Sequence, residues 1–235
     1  MLFDETAVKA NIRNREGKRV FFLGKEDKLT PSARDYLTRQ RIEILPGEDA
    51  AIQEYVLENG AVLRKKPEHM THLHGNVLVS KTHPRIAFRG AMDLLESELL
   101  LCKLECPEVE KELGEILTLA RNLIRWEVME EPVEEGKLCG LTQSELRQHS
   151  HFPERYYSQP HFMPQAGDGR PLLMLNRCRG IARQAELAAV RAFVTSDGQV
   201  LREDILTAMN RMSSMLYILM IRLKAKGQTG EHRRQ

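Results

Sequence analysis

Apolar residues recur at helical spacing through most of the chain after Pro84. Residues 86–105 are apolar over most of their surface, which is typical of a central, largely buried helix. Further long helices are predicted over 107–131, 171–195 and 201–226, and Thr142 is suited to open a short helix over 141–149. Prolines and turn residues predict loops over 132–140 and 151–169. The larger part of the chain is therefore expected to be mainly α, with about five helices.

The first 65 residues follow a different pattern. Residues 19–23 and 41–45 are typical of strands, and Thr30 and Pro31 are suited to be the N-cap and first residue of a helix over 29–37. Residues 53–63 are expected to add a helical turn and a strand around Asn59 and Gly60. The sequence thus predicts a small α+β module over 1–65, a linker over 64–67, a helical domain over 66–235 and a disordered tail over 227–235.

Composition narrows the class of protein. The 235 residues, 42% of them hydrophobic, are enough for one or two domains with a real core. A net charge of +2 argues against a nucleic-acid partner. The apolar run over 215–221 is too short to cross a membrane. Charged residues interrupt the N-terminus, so no signal peptide and a cytoplasmic location are expected.

Cysteine and histidine spacing gives little sign of a metal site. The cysteines, at positions 102, 106, 139 and 178, form one loose pair, which predicts reduced thiols. Histidines at 69, 72, 74 and 83 cluster without a nearby cysteine, and metal binding there is the minority interpretation. Neither a zinc nor an Fe–S site is expected.

A charged stripe marks the helix over 171–195. Arg179, Arg183 and Glu186 are spaced i, i+4 and i+7 and share one face. The face continues with Val190 and Phe193, which predicts that the stripe runs into buried surface, where charges need protein partners or an anionic ligand. Small residues suited to close helix packing lie opposite: Ile181, Ala185, Ala188 and Ala192.

Two further features are expected to belong with this stripe. Asp93 has apolar chain neighbours and is predicted to be buried, with Arg179 as its counter-ion. That pair is either a structural ion pair or a brace that positions Arg183 beside an anionic ligand. A polar stripe on the last helix either makes inter-helix hydrogen bonds or contributes to the site: Asn210, Ser214 and Tyr217.

These residues resemble a known family. The pattern Arg179-x3-Arg183-x2-Glu186, followed by Asn-Arg-Met-Ser over 210–213, is similar to that of ATP:corrinoid adenosyltransferases of the propanediol-utilisation type. Residues 75–86 and the Gly-x-x-Asp pattern over 90–93 resemble the same family. The ethanolamine-utilisation branch is the closer match and extends the resemblance over nearly the whole chain, because it also resembles segments 29–34, 66–73, 80–85 and 200–206.

The resemblance implies a helical bundle that assembles as a homotrimer with sites between subunits. It implies an enzyme that transfers the 5′-deoxyadenosyl group of ATP to reduced cob(I)alamin, giving adenosylcobalamin and triphosphate, for an enzyme such as ethanolamine ammonia-lyase. Cobalt(I) is itself the nucleophile, so no protein nucleophile or general base is required. A non-catalytic nucleotide or corrinoid carrier or sensor on the same bundle is the alternative.

Matched family positions imply roles for single residues. Arg183 and Lys81, with Mg²⁺, would neutralise the triphosphate, and Glu186 would bind Mg²⁺ or orient an arginine. Asp93 and Arg179 would brace the site across a subunit interface. Other nucleotide contacts are implied for Asn210, Thr71 and His74.

The segment His-Phe-Met-Pro over 161–164 stands where the family has an aromatic-x-x-Pro loop that displaces the lower cobalt ligand. Phe162 is the favoured wedge, whereas His161 could instead ligate cobalt; a core aromatic under a long loop is the alternative. The chain departs from the family twice: residues 60–67 lack a Cys-Cys-x-x-Cys metal cluster, and residues 65–74 lack most glycines of the triphosphate loop. A branch member without that metal site is therefore expected.

The module over 1–65 is not needed for this chemistry. It is expected to dock to one of three partners: a corrinoid reductase, the acceptor enzyme or the shell of a bacterial microcompartment. The protein is accordingly expected in the cytoplasm, inside or at such a microcompartment.

Overall fold

The computed structural model describes residues 1–47 and 54–231, without the side chains of 228–231. The chain divides into two compact units, Met1–Ile86 and Ala87–Gln235. In the first unit, β2 (Arg13–Arg15), β3 (Lys18–Leu23) and β5 (Glu43–Pro46) form a sheet of order β2-β3-β5, in which β3 and β5 run parallel. The remaining elements of this part are β1 (Leu2–Phe3), α1 (Glu5–Ala10), β4 (Lys28–Leu29) and α2 (Pro31–Arg39).

Helix α2 begins as its sequence predicts. The hydroxyl of Thr30 accepts a hydrogen bond from the Ala33 amide at 3.3 Å, and Pro31 occupies the first turn, where its missing N–H costs nothing. The helix packs Ala33 and Leu37 against Phe21 of β3. The predicted strand–helix–strand order is confirmed.

A second sheet completes the first unit. Its strands are β6 (Tyr55–Leu57), β7 (Val62–Leu63), β8 (Met70–His74) and β9 (Val77–Ser80), in the order β7-β6-β9-β8. Asn76, buried between β8 and β9, accepts from the Asn14 amide at 2.6 Å and donates to the carbonyls of Asn14 and Glu54. These bonds tie Asn76, a residue expected in the helical domain over 66–235, to the N-terminal strands, and the first unit extends to Ile86. The helical turn expected from residue 53 starts outside the described residues, and Tyr55 already lies in a strand.

In the second unit, long antiparallel helices form a bundle. Cys102 and Cys106 of α3 donate to the carbonyls of Met174 and Pro171 of α7, and Arg222 of α8 pairs with Glu112 of α4 at 2.7 Å. Buried side chains from all the long helices share one core. The predicted fold class, a mainly α bundle with a small α+β module, is confirmed. The helices are α3 (Pro84–Glu105), α4 (Glu110–Val128), α5 (Gln143–His151), α6 (Pro153–Tyr157), α7 (Arg170–Phe193) and α8 (Glu203–Glu231).

Several boundaries differ from the expected ones. The segment over 151–169 contains α6, because Pro153 is pre-organised for a first helical turn. The predicted tail is wrong over 227–231, since α8 continues to Glu231; residues 232–235 lie outside the described part. No helix in the described ranges has the length and apolar character needed to span a membrane.

Candidate functional site

A cavity of about 860 Å³ opens between α5, α7, α8 and the loop over 161–164. A capping box fixes the start of α5: Thr142 accepts from the Glu145 amide, and the Glu145 carboxylate accepts from the Thr142 amide at 2.8 Å. On α7, the fully buried Ala182, Ala185 and Ala189 let α8 approach closely. The charged stripe of α7 lies beside these alanines, and its Arg179 and Arg183 line the cavity.

Four arginines line this cavity, and no aspartate or glutamate is among its lining residues. Arg179 and Arg183 come from α7, Arg147 from α5 and Arg211 from α8. None of them has a carboxylate within salt-bridge distance in the described residues; Arg211 donates instead to the neutral Gln143 at 2.8 Å. Unneutralised cations that converge on a concave surface favour an anionic ligand.

Arg179 is half-buried at this cavity. Its Nε is buried without a hydrogen-bond partner, and its guanidinium carbon lies 5.0 Å from the centre of the Tyr217 ring. Burial, and then the like charge of Arg183, lower the pKa of Arg179 below its ordinary value. The side chain therefore stands ready to donate to a ligand oxygen.

The stripe on α7 is less buried than its pattern predicts. Arg183 is exposed, Glu186 is half-buried and accepts from the amide of Asn210 at 3.3 Å, and Val190 is exposed. Phe193 alone reaches the core, where its ring packs edge-on against Phe88. The expectation that the stripe runs into buried surface is thus wrong at Val190.

Asp93 is exposed, so the prediction of a buried aspartate paired with Arg179 is wrong for this chain. Residues one position away on a helix point about 100° apart, and the i±3 and i±4 positions decide burial. At Asp93 those positions hold polar residues or glycine: Arg89, Gly90, Glu96 and Ser97. The buried acids of the bundle are instead Glu98 and Glu127.

The loop over 161–164 is fixed to α8 through Tyr217. His161 Nε2 lies 3.1 Å from the His151 carbonyl, which can only accept, so Nδ1 is left to accept from the Tyr217 hydroxyl at 2.7 Å. Burial raises the pKa of Tyr217, against an opposing hydrogen bond from the Phe162 backbone. Both His161 nitrogens are therefore engaged, while Phe162 packs half-buried against the core.

Three sequence-predicted site residues lie in the first unit, on the β8–β9 hairpin and just after it. Thr71 pairs with Val79 in the middle of the hairpin, and His74 ends β8. Lys81 follows β9, donates its amide to the His69 carbonyl at 2.9 Å and forms an exposed ion pair with Glu68 at 3.4 Å.

Metal-binding groups are sparse. Within the described residues, no three Cys, His, Asp or Glu side chains are arranged to hold an ion. Burial raises the pKa of the Cys106 and Cys139 thiols to about 12. Glu186 is the carboxylate adjacent to the cavity residues, through its bond to Asn210. Mg²⁺ typically takes one or two protein carboxylates and substrate phosphates, so this single donor fits a nucleotide-borne Mg²⁺.

Sequence reasoning assigned no role to several cavity residues, among them Gln143, Arg147 and Arg211. Arg211 lay within the Asn-Arg-Met-Ser pattern and could have been found there, since it follows Asn210 directly. Arg147 carried no such signal, because only the packing of α5 against α8 brings it to the cavity.

Comparison with known proteins places this bundle in a defined class. Residues 61–223 match the family model described as cobalamin adenosyltransferase. The chain is 32% identical to corrinoid adenosyltransferase EutT of Salmonella typhimurium, over 94% of this chain and 92% of that protein. It is 30% identical to the EutT of Escherichia coli, over 92% and 90%.

Solved structures share the fold. Two variants of a PduO-type ATP:corrinoid adenosyltransferase from Lactobacillus reuteri, each complexed with cobalamin and ATP, superpose with a TM-score of 0.53 at 19% identity. They cover 68% of this chain and 89% and 91% of their own. This chain belongs to the cobalamin adenosyltransferase family. That membership confirms the resemblance read from its motifs, and confirms an adenosyltransferase acting on a corrinoid over a non-catalytic carrier.

Proposed function

We propose that the arginine-lined cavity takes the triphosphate of ATP on Arg183 and Arg179 while a reduced corrinoid receives the 5′-deoxyadenosyl group. The observation that carries this proposal is the set of four cavity arginines without a lining carboxylate. The products are adenosylcobalamin and triphosphate.

The chemistry asks little of the protein as an acid or base. Cobalt(I) of the corrinoid attacks the ribose 5′ carbon, the carbon–oxygen bond breaks, and triphosphate leaves with the electron pair. The protein must align cobalt with carbon and stabilise the charge that develops on the leaving group. Arg183, exposed at the cavity, and the confined Arg179 supply donors whose planar forks match phosphate oxygens.

Glu186 and Asn210 are proposed to hold the nucleotide with Mg²⁺. Their side chains are joined at 3.3 Å across α7 and α8, which sets a carboxylate and an amide side by side. Mg²⁺, when bound, would offset the charge of the triphosphate. Lys81, Thr71 and His74, on the hairpin and just after it, are proposed as further nucleotide contacts. Segments 66–73 and 75–86 resemble the family, although residues 65–74 lack most glycines of its triphosphate loop.

Phe162 is proposed to displace the lower ligand of cobalt. It is held by the Tyr217–His161 link, and both nitrogens of His161 are already used, which favours Phe162 over cobalt ligation by His161. Lys224 lies 5.8 Å from the Phe162 ring centre.

A homotrimer with sites between subunits is proposed from the exposed apolar surface of α3. Leu94, Leu101 and Leu104 are 55%, 48% and 81% exposed on one side of this helix. Large apolar surfaces of this kind mark protein interfaces. Asp93 lies beside Leu94, exposed and without a described partner, and would pair with Arg179 of a neighbouring subunit.

The product is proposed to supply an adenosylcobalamin-dependent enzyme such as ethanolamine ammonia-lyase, because the EutT relatives extend over nearly the whole chain. The first unit, Met1–Ile86, is proposed to dock to a corrinoid reductase, to that acceptor enzyme or to a microcompartment shell in the cytoplasm.

An anaerobic assay tests the reaction. The purified chain is mixed with ATP, Mg²⁺ and chemically reduced cobalamin, and formation of a light-sensitive cobalt–carbon bond is followed by its absorption spectrum. We expect ATP-dependent conversion with release of triphosphate. Binding of both ligands without triphosphate release under strict anaerobiosis would identify a carrier instead.

A further inference from the structure

We propose that Arg147 and Arg211 form a second anion site, which binds the phosphodiester of the corrinoid's nucleotide tail. This inference rests on the proposed function and names the part of the corrinoid that the enzyme selects. It makes the enzyme prefer complete corrinoids over those that end before the tail phosphate.

The two arginines stand where two cavities meet. Both line the main cavity, and both also line an adjoining cavity of about 700 Å³ between α5, α8 and the loop before α5. Gln143 is shared by the two cavities as well. A ligand held in the main cavity can therefore extend a substituent past Arg147 and Arg211.

The positive charges of Arg147 and Arg211 at this junction favour binding of an anion. Arg211 is half-buried, its Nε has no hydrogen-bond partner, and its Nη2 donates to the neutral Gln143 at 2.8 Å. Arg147 has no ion-pair partner among the described residues. The adjoining cavity does include one carboxylate, Glu135, and one further cation, Lys137, so its lining keeps a net positive charge. An incoming phosphate would stabilise both the half-buried guanidinium group of Arg211 and the exposed one of Arg147.

The chemistry of the substrates distinguishes the two pairs of arginines. ATP carries one polyphosphate chain, for which α7 supplies Arg179 and Arg183. The peripheral side chains of a complete corrinoid are neutral amides, and its phosphodiester is its one anionic group. Displacement of the lower ligand frees the nucleotide tail on the side of the Phe162 loop. That loop and the Arg147–Arg211 junction line the same cavity.

The test compares two corrinoids that differ in the tail. Arg147→Gln removes an exposed cation with little risk to the fold, and Arg211→Lys keeps a charge but loses the fork. KM is measured anaerobically for reduced cobalamin, for reduced cobinamide, which lacks the phosphodiester, and for ATP. We expect KM for cobalamin to rise about tenfold in each variant, with KM for cobinamide and ATP unchanged. Arg191→Gln, an exposed position on α7 away from the cavity, serves as the control and should change none of them.

The outcomes separate the two proposals. An equal rise in KM for both corrinoids would overturn the tail site. A rise in KM confined to ATP would also overturn it and would assign these cations to the triphosphate. Unchanged values in both variants would overturn it as well. A wild-type enzyme that converts neither corrinoid would instead defeat the proposed function.

Discussion

Two groups of arginines in the same bundle differ in what neutralises them. Arg89 of α3 lies 2.6 Å from Glu127, which is fully buried, and Arg177 of α7 lies 3.0 Å from the nearly buried Glu98. The geometry of the second contact satisfies no hydrogen bond at Glu98 Oε1, so it is an ion pair by distance alone. Both arginines therefore pair with glutamates that are buried in the core.

The main cavity, in contrast, has no aspartate or glutamate among the described residues that line it. Arg179 on α7 is only two positions from Arg177, yet it turns toward Tyr217 and the cavity rather than toward α3. Successive residues of a helix point about 100° apart, so residues two positions apart lie on different faces. One helix can therefore direct Arg177 into a structural ion pair and Arg179 into the candidate site. The difference teaches that an arginine's counter-charge, rather than its spacing, separates a structural role from a ligand-binding one.

The largest effect is expected from Arg183→Ala. Removing a preorganised donor to a leaving group typically costs two to three orders of magnitude, so kcat/KM should fall about 1000-fold, or about 4 kcal/mol. The thermal midpoint should stay unchanged, because Arg183 is exposed and has no protein partner in the described residues. We expect ATP to raise that midpoint in the wild type and to raise it no longer in the variant.

The matched control is Arg191→Ala, about two turns along the same helix and also exposed. Full activity in the Arg183 variant would show that Arg183 does not belong to the site, and so would equal losses of activity in the Arg183 and Arg191 variants. In either case the cavity charges would have no catalytic role.

The opposite class of arginine is probed by Arg89→Met. The substitution leaves Glu127 buried without its cation, which should lower the free energy of unfolding by about 3 kcal/mol. Urea denaturation measures this change. The double variant with Glu127→Leu should recover most of the loss, because an apolar pair replaces an ion pair at little cost. An Arg89 variant as stable as the wild type would contradict the contrast.

The helices could be predicted because each long one repeats its apolar residues at helical spacing. Burial of single charged residues could not. Asp93 was judged from its chain neighbours, although the i±3 and i±4 positions decide which way a helical side chain points. Glu98 and Glu127 gave no local signal, since the arginines that pair with them lie on other helices of the bundle.

The candidate site divides in the same way. Arg179, Arg183, Asn210 and Tyr217 were expected together, because their spacing puts them on facing stripes of consecutive helices, and one cavity holds them all. Arg147 was missed because it depends on how a short helix packs against α8. The first unit likewise extends to Ile86 rather than to residue 65. The local sequence pattern does not reveal this boundary, because it depends on the tertiary hydrogen bonds of Asn76.

The smallest effect, and the one that best resolves the cavity, is expected from Tyr217→Phe. The ring stays over Arg179, so the arginine keeps its neighbour, but the hydroxyl that His161 needs is lost. One hydrogen bond contributes about 1 kcal/mol, so turnover that starts from cob(II)alamin should fall about tenfold or less, because Phe162 is held less firmly. Turnover of pre-reduced cob(I)alamin, which needs no ligand displacement, should change little. Tyr156→Phe is the matched control, since among the described residues that hydroxyl bonds to Gln148, outside the cavity. If both assays declined equally, Tyr217 would act on the nucleotide through Arg179 and not on the loop.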